Sequence, residues 1–234
     1  MNYVPKIDRR SFVVSAAAVG GGLALGLELP FGGPQVIRAQ DGSPEVNAWV
    51  VIRPDDTVVI RIARSEMGQG TLTGLAQLVA EELECDWSKV SYEFPTPGQN
   101  VARKRVWGDF FTAGSRGIRE SNDFVRKGGA VAREMLIQAA ANAWKVPAAE
   151  CSASNSVITH KPSGRTTTFG KVAEAAAKVE PPAEVQLKDP KDWKIIGKGV
   201  KRLDSHDKVT GKAIYGIDVK LPGMLYAAIK DCPV

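Results

Sequence analysis

The stretch EMGQGTLTGLAQLVAEEL, residues 66–83, joins a glycine-rich turn to an amphipathic pattern. Two glycines flank Gln69, and glycine lets a backbone approach a ligand closely. From Leu72 onward the apolar residues recur at helical spacing, so the pattern predicts a helix that begins near Thr71. The first N–H groups of a helix have no partner within it, and here they point towards the glycines. The stretch therefore predicts a site for an anionic or acceptor-rich ligand.

A second loop, GDFFTAGSRGIRES at residues 108–121, has the same placement between an extended run and a helix. Thr112 and Ser115 add hydroxyl groups, and Arg116 adds a guanidinium suited to bidentate phosphate contact. If the fold brings both loops together, they form a cradle for a phosphorylated, amide-rich ligand. The residues alone also allow two unrelated glycine turns, with Arg116 paired to Glu120 four residues later.

The chain that follows the N-terminal segment predicts an α+β fold. AWVVIRPDDTVVIRIA (48–63) is typical of a β-hairpin, KVSYEFP (89–95) of the next strand, and the longest helix is expected over about 120–145. Gly128 and Gly129 interrupt that helix at a cost of roughly 1 kcal/mol each. We therefore expect close packing of this helix against another backbone to compensate.

The C-terminal third predicts a short strand at 156–160, a small helix at 169–179 and then a proline-spaced, solvated linker. Two later apolar runs, AIYGIDV and MLYAAIKDCPV, predict β-strands that find no partner in the sequence. The second domain is therefore expected to be incomplete. The predicted division is a leader at 1–40, a first domain at 41–179, a linker at 180–193 and an incomplete domain at 194–234.

The leader carries paired arginines ahead of a weakly apolar run in DRRSFVVSAAAVGGGLALGL, residues 8–27. The run is short for a membrane span and diluted by glycine. It predicts a twin-arginine signal that ends near VIRAQ (36–40), and therefore periplasmic delivery. An uncleaved membrane anchor or a loose N-terminal arm is the alternative. Because the twin-arginine route exports folded proteins, the leader favours a cofactor that is acquired before export.

Composition excludes other classes of protein. The net charge of +5 is spread along the chain, which is not the footprint of a nucleic-acid-binding protein. Cys85, Cys151 and Cys232 are widely spaced and form no C-x-x-C pair, so neither a zinc knuckle nor an iron–sulfur cluster is encoded. His160 and His206 are isolated in the sequence and are expected at the surface.

The motif EMGQG-T-x-L-x-x-LVAEEL, with TAGSRG-I-R about forty residues later, resembles the molybdopterin-binding large subunits of the xanthine dehydrogenase family. The branch of isoquinoline 1-oxidoreductase beta subunits and exported aldehyde dehydrogenases is most similar. It shares the leader, the AREML-x-x-AAA-x-x-W-x-V helix, and YGIDVKLPGMLYA near the start of its α/β-hammerhead domain. The resemblance implies the N-terminal part of a molybdopterin-binding domain, followed by the start of a hammerhead domain.

The same resemblance implies a cofactor and partners. In that family the two loops hold the pterin and its dinucleotide phosphates, so the implied cofactor is molybdopterin cytosine dinucleotide. The implied reaction is oxidative hydroxylation of an aldehyde or N-heterocycle, with electrons passing to a small [2Fe–2S] subunit and onward to a cytochrome c subunit. The binding residues carried over are Gly68, Gln69, Gly70, Thr112, Gly114, Ser115, Arg116 and Gly117.

The resemblance departs from the family in length. The family's large subunits are several times longer, and their glutamate base near the C-terminus has no counterpart in these 234 residues. Glu66, Glu81 and Glu82 flank the first loop but fall in no motif that resembles a base. The chain is therefore expected to be a truncated product, a piece of a split subunit or a fragment, inactive alone, with no catalytic or metal-ligating residue assigned. An exported, non-catalytic binding or assembly module is the alternative.

Overall fold

The computed structural model describes residues 41–232, so the predicted leader lies outside the described part. Contacts divide the chain into a first unit that ends at Val200 and a second that begins at Lys201. The first unit contains two small sheets and the long helices, which confirms the α+β prediction. Among residues 41–232, no helix combines the length and apolar character that crossing a bilayer requires.

The first sheet has three strands in the order β1–β2–β3. β1 (Val50–Ile52) pairs antiparallel with β2 (Val58–Arg61), which confirms the predicted hairpin. β2 pairs parallel with β3 (Val90–Glu93), and parallel neighbours need a crossover connection. Helix α1 (Thr71–Leu83) lies in that connection. The first glycine loop therefore follows β2 and leads directly into α1.

Three further helices follow β3 in the first part of the chain. The helix α4 is the longest and spans the predicted stretch. It packs along α1. The bounds of the three helices are Pro97–Ala102 for α2, Arg116–Arg119 for α3 and Asn122–Trp144 for α4.

The glycine pair in α4 lies where this helix meets its neighbours. A Cβ atom on Gly129 would lie 2.5 Å from the carbonyl oxygen of Val79 in α1, a distance that real side chains do not adopt. A Cβ atom on Gly128 would lie 3.0 Å from the Trp49 ring. The expected close approach between backbones is confirmed at Gly129, and this contact offsets the low helix propensity of glycine.

The second sheet follows α4 and is antiparallel throughout, in the order β4–β5–β6. The predicted short strand and small helix are both present. The helix ends at Ala176, earlier than expected, packs against α4, and buries Phe169 and Val172. The bounds are Cys151–Ser154 for β4, Val157–His160 for β5, Thr166–Thr168 for β6 and Phe169–Ala176 for α5.

His160 does not lie at the surface, contrary to the prediction. It is only 5% exposed, with Nδ1 2.6 Å from the Ser163 hydroxyl and Nε2 2.8 Å from the Glu150 carboxylate. The turn after β5 brings Ser163 back to the ring. Cys151 is paired with His160 across the sheet, which places Glu150 beside it. Strand pairing thus gives His160 partners that sequence spacing did not suggest, whereas His206 is exposed as expected.

Within the segment predicted as a solvated linker, 180–193, Lys188 contacts the C-terminal end of α1. Nζ of Lys188 contacts the carboxylates of Glu81 and, at 2.8 Å, of Glu84. The Lys188 N–H donates to Glu82. Residues 180–193 are all exposed or half-buried, so their role as a linker stays a prediction. The contacts of Lys188 were not predicted because these acidic partners lie far away in the sequence, where composition cannot reveal them.

We call residues 188–196 the docked segment. Its last three N–H groups, from Lys194, Ile195 and Ile196, donate to one oxygen of Glu81 at 2.9, 2.6 and 3.0 Å. The Glu81 side chain is only 1% exposed. A single buried carboxylate therefore holds both ends of the docked segment, since it contacts Lys188 as well.

Residues 201–232 of the second unit contain helix α6 (Ser205–Val209) and no strand. The prediction of β-strands in its two apolar runs is wrong for these residues. Backbone groups of an extended strand need a neighbouring strand, and this stretch forms none. Asp204 is buried and paired, and the hydrogen bond from Arg202 lowers its pKa to about 2, with Lys208 also contributing.

The three cysteines have different surroundings. Cys85 and Cys151 are buried, and Cys232 is exposed. Burial raises the pKa of the Cys85 thiol well above its ordinary value, because a thiolate there would lose its hydration. Cys85 follows the end of α1, and its sulfur lies 3.9 Å from the carbonyl oxygen of Ala80 in the last turn of that helix.

Candidate functional site

The first loop adopts a conformation that only glycine takes easily. Gly68 and Gly70 have φ angles of 101° and 85°, in the left-handed region. A Cβ atom at either position would meet nothing within 4 Å. The backbone conformation, and not crowding, therefore requires glycine here. The space next to the loop is open to a ligand.

The N–H groups of this loop already have an acceptor, contrary to the expectation that they were available. The Glu66 carboxylate accepts hydrogen bonds from Gly68 at 2.7 Å and from Gly70 and Leu72 at 3.0 Å. Leu72 lies in the first turn of α1, where a negative charge is favoured by the helix dipole. The carboxylate thus occupies the position that the sequence assigned to an external anion.

Gln69 lies on the exposed side of the same loop. Its Oε1 accepts a hydrogen bond from the Met67 N–H at 2.6 Å, and its Nε2 donates to the Ser65 carbonyl at 2.8 Å. The side chain is therefore folded back onto its own loop through two backbone partners at the surface.

The second loop lies beside the first. The Ser65 N–H donates to Oγ1 of Thr112 at 3.0 Å. A Cβ atom on Gly117 would lie 3.1 Å from Cγ2 of Thr71, the first residue of α1. The predicted proximity of the two loops is therefore observed, whereas binding of a ligand between them stays a prediction.

The second loop presents its cation at the surface, but with a partner. Gly114 and Ser115 have φ angles of 60° and 55° and lead into α3. Nε of Arg116 donates to the Glu120 carboxylate, and its guanidinium carbon lies 5.1 Å from the centre of the Phe111 ring. The hydrogen bond raises the pKa of Arg116 and lowers that of Glu120.

This arrangement matches the alternative that the sequence left open, an Arg116–Glu120 pair. It does not exclude the cradle, because exposed ion pairs are weak and exchange readily with other partners. The α3 helix has only four residues, so the second loop does not lead straight into the long helix as expected. A turn at residues 120–121 separates α3 from α4, and Ile118 of α3 lies beside Gly74 of α1.

Sequence reasoning missed Arg64, which holds the second loop from beneath. Its Nε lies 3.1 Å from the Ser121 hydroxyl, and its Nη1 donates to the carbonyl oxygens of Asp109 and Phe111. The side chain is only 8% exposed. The sequence did contain a signal, because Arg64 directly follows the apolar run VVIRIA and is therefore expected to be partly buried. A buried guanidinium needs several hydrogen-bond acceptors around it.

The carboxylates at these loops, Glu66 and Glu120, are each bonded to donors of their own loop. Within residues 41–232, no group of three or more His, Cys, Asp or Glu side chains is placed to hold a metal ion. The groups that a ligand can reach are the exposed Gln69 amide, the Ser115 hydroxyl and the Arg116 guanidinium. Such donors suit a large organic ligand with many acceptor atoms.

The family model of the molybdopterin cofactor-binding domain matches residues 8–219. The chain belongs to this family. It is similar to isoquinoline 1-oxidoreductase subunit beta of Brevundimonas diminuta, with 32% identity over an alignment 265 residues long that covers 98% of this chain and 34% of that protein. It is also similar to the membrane-bound aldehyde dehydrogenase (pyrroloquinoline-quinone) of Gluconacetobacter polyoxogenes, with 32% identity over 238 residues, 97% of this chain and 30% of that one.

The chain spans about a third of the length of these curated relatives. Among solved structures, quinoline 2-oxidoreductase from Pseudomonas putida 86 matches 59% of this chain and 17% of its own, with 20% identity and a TM-score of 0.42. The sequence comparisons agree with the resemblance carried by the two loops.

Proposed function

We propose that the chain is the N-terminal portion of a molybdenum hydroxylase large subunit. In this proposal it binds molybdopterin cytosine dinucleotide between the two glycine loops and serves in the oxidative hydroxylation of aldehydes or N-heterocycles. The observation that carries the proposal is the hydrogen bond between Ser65 and Thr112, which brings both loops to one side of the first unit.

The residues present fit such a ligand. The left-handed glycines at 68, 70 and 114 expose backbone to close approach, and no atom fills the space beside the first two. Gln69 can exchange its two surface hydrogen bonds for ligand contacts at little net cost, because water satisfies the backbone groups that it leaves. Arg116 can turn from Glu120 to a phosphate in the same way.

When bound, the cofactor would supply the metal-centred oxidation that no protein side chain provides. The chain's own residues would bind and orient it. Gln69 would donate or accept hydrogen bonds at the pterin, Arg116 would neutralise a phosphate, and Ser115 would donate a hydrogen bond to it. Both tasks are positioning, so the groups that hold or move a proton during the reaction are proposed to lie elsewhere in the large subunit.

The proposed partners follow from the relatives, of which one is named as a subunit and both are about three times longer. We propose that the remainder of the large subunit completes the site and that a small [2Fe–2S] subunit takes the electrons, with a cytochrome c subunit as the next acceptor. Export to the periplasm through the twin-arginine route is part of the same proposal and is supported by the pattern at residues 8–27.

The test is cofactor content. The chain would be purified from its native host with the chains that accompany it, and molybdenum and acid-released cytidine nucleotide would be measured per chain. We expect near-equal amounts of both, and a loss of roughly tenfold in Gln69→Ala because the loop contact is removed. Gln138→Ala, which alters a glutamine on α4, is the matched control and should keep both.

Full molybdenum and cytidine content in variants of both loops would overturn the cradle. A native protein that contains neither would favour the exported, non-catalytic module instead. The 234-residue chain reconstituted with cofactor but without partners should show no aldehyde or N-heterocycle oxidation, and turnover in that sample would place the base within this chain.

A further inference from the structure

The Glu66 carboxylate lies under the first loop and bonds to alternate residues of it. Oε1 accepts from Gly68 and Gly70, and Oε2 accepts from Leu72. The three donors belong to the turn and to the first turn of α1. One side chain therefore fixes both the left-handed glycines and the start of the helix.

The two polar side chains of the loop differ in how readily they can leave it. Gln69 is neutral, exposed and bonded to two surface backbone groups. Glu66 is charged, half-buried and bonded to three converging N–H groups. Hydrogen bonds to a charged group are about twice as strong as neutral ones, and the helix N-terminus adds a favourable field. Exchange of Gln69 is therefore easy, and exchange of Glu66 is not.

We propose that Glu66 is a positioning residue that fills the N-terminus of α1 from within the chain and stays there when the ligand binds. It holds Gly68 and Gly70 in their left-handed conformation, so the loop is formed before the ligand arrives. This inference rests on the proposed function for the identity of the ligand, but the role of the carboxylate within the loop does not.

The inference assigns a different chemistry to each loop. Since the amides of the first loop are occupied and a negative charge lies behind them, that loop is unsuited to a phosphate and receives an uncharged, hydrogen-bonding part of the ligand. A phosphate is instead bound by the second loop. There the Arg116 guanidinium is paired only with the exposed carboxylate of Glu120, which a phosphate can replace. Without Glu66, the N-terminus of α1 would become an ordinary anion site.

The experiment uses the 234-residue chain without cofactor and follows single amides by NMR. Hydrogen exchange at Gly68, Gly70 and Leu72 is compared in wild type, Glu66→Ala and Glu66→Gln, with Glu174→Gln on α5 as the control. Inorganic phosphate is then titrated into each protein. Glu66→Gln keeps the shape and one acceptor oxygen, so it remains informative if the alanine variant does not fold.

We expect exchange at the three amides to quicken by roughly tenfold in Glu66→Ala, less in Glu66→Gln and not in the control. Phosphate should slow exchange again in Glu66→Ala and shift its Gly68 and Gly70 resonances, while the same resonances in wild type stay in place. Unchanged exchange in Glu66→Ala would overturn the proposal. So would a saturable phosphate shift of the wild-type Gly68 and Gly70 amides, because the carboxylate would then be displaceable.

Failure of the proposed function looks different. If the native protein carries no molybdenum but the amide results are as expected, the positioning role stands and the ligand is another one. If molybdenum is present and phosphate displaces Glu66 in wild type, the cofactor assignment stands and the division of chemistry between the loops is wrong.

Discussion

The backbone N–H of Ser65 donates to Oγ1 of Thr112 at 3.0 Å, across 47 positions of sequence. This bond joins the start of the first loop to Thr112, the first residue of the second loop that the family resemblance implies in cofactor binding. It is partly exposed, so its contribution to the free energy of unfolding is modest, but it sets the distance between two loops that otherwise touch through Gly117 and Thr71.

Thr112→Val removes the acceptor while keeping the shape of the side chain. We expect the free energy of unfolding to fall by about 1 kcal/mol, the usual worth of one hydrogen bond. Urea denaturation followed by circular dichroism measures this. Thr112→Ser keeps the hydroxyl and should retain most of the stability. Equal stability in all three proteins would mean that the bond does not join the loops.

Gly129→Ala places a methyl group against the backbone of α1. Because the new Cβ would lie 2.5 Å from the Val79 carbonyl oxygen, the two helices must separate, and we expect a loss of about 2–3 kcal/mol. Thermal unfolding would reveal it as a lower midpoint. Gly199→Ala is the control, since a Cβ there meets nothing within 4 Å. A stable Gly129→Ala would contradict the close packing of α1 and α4.

Glu81→Gln removes the charge that holds the docked segment. Breaking a buried ion pair leaves Lys188 with Glu84 as its remaining carboxylate, so we expect about 2–3 kcal/mol of destabilisation. Hydrogen exchange measured by mass spectrometry should increase over residues 188–196 in particular. The exposed carboxylate of Glu134, changed to Gln, should alter stability by less than about 0.5 kcal/mol. Unchanged protection in Glu81→Gln would rule out this anchoring.

The same carboxylate predicts a dependence on pH. Burial opposes ionisation of Glu81, but hydrogen bonds from Lys188, Ile195 and Ile196 outweigh it and hold its pKa below the ordinary value of 4.5. Because the pKa is lower in the folded chain, its stabilisation is complete above about pH 4.5 and is lost as the pH falls through the folded pKa. Wild type should therefore lose stability more steeply in acid than Glu81→Gln, and parallel curves would contradict this.

Replacing Arg9 and Arg10 together by Lys should trap the protein in the cytoplasm. The reason is that the twin-arginine route selects the arginine pair itself, which lysine preserves in charge only. Fractionation of periplasm and cytoplasm followed by immunoblotting measures it, with a Lys6→Arg variant as the control. Undiminished periplasmic protein in the double variant would mean that the leader acts in another way.

Local patterns predicted the parts of the fold that depend on neighbouring residues. The hairpin, α1, α4 and the short strand at 156–160 follow from hydrophobic spacing, and the matching placement of the two loops suggested their proximity. Contacts between residues that lie far apart in the sequence were not predicted. The contacts of the docked segment were not predicted because the carboxylate of Glu81 that holds it lies 107 positions away from Lys188.

Within the site, sequence predicted the glycines but not what they bond to. Glu66 reaches its own loop at i+2, i+4 and i+6, a local pattern that was overlooked because helix N-termini were assumed to await an external anion. The roles of Arg64 and His160 were missed for a different reason. Both side chains are buried and therefore need hydrogen-bond partners, but their burial depends on the fold and is not visible in the sequence.

The burial of Cys85 determines how its thiol would respond to oxidants, such as those of the periplasm that we propose as the destination of this chain. Oxidants attack the thiolate and not the thiol, and the raised pKa of Cys85 leaves almost no thiolate at neutral pH. Its sulfur is also shielded beneath the end of α1. The exposed Cys232, by contrast, is open to solvent. Alkylating reagents should therefore label Cys232 in the native chain and reach Cys85 only after unfolding, which makes the pair an internal reporter of the folded state.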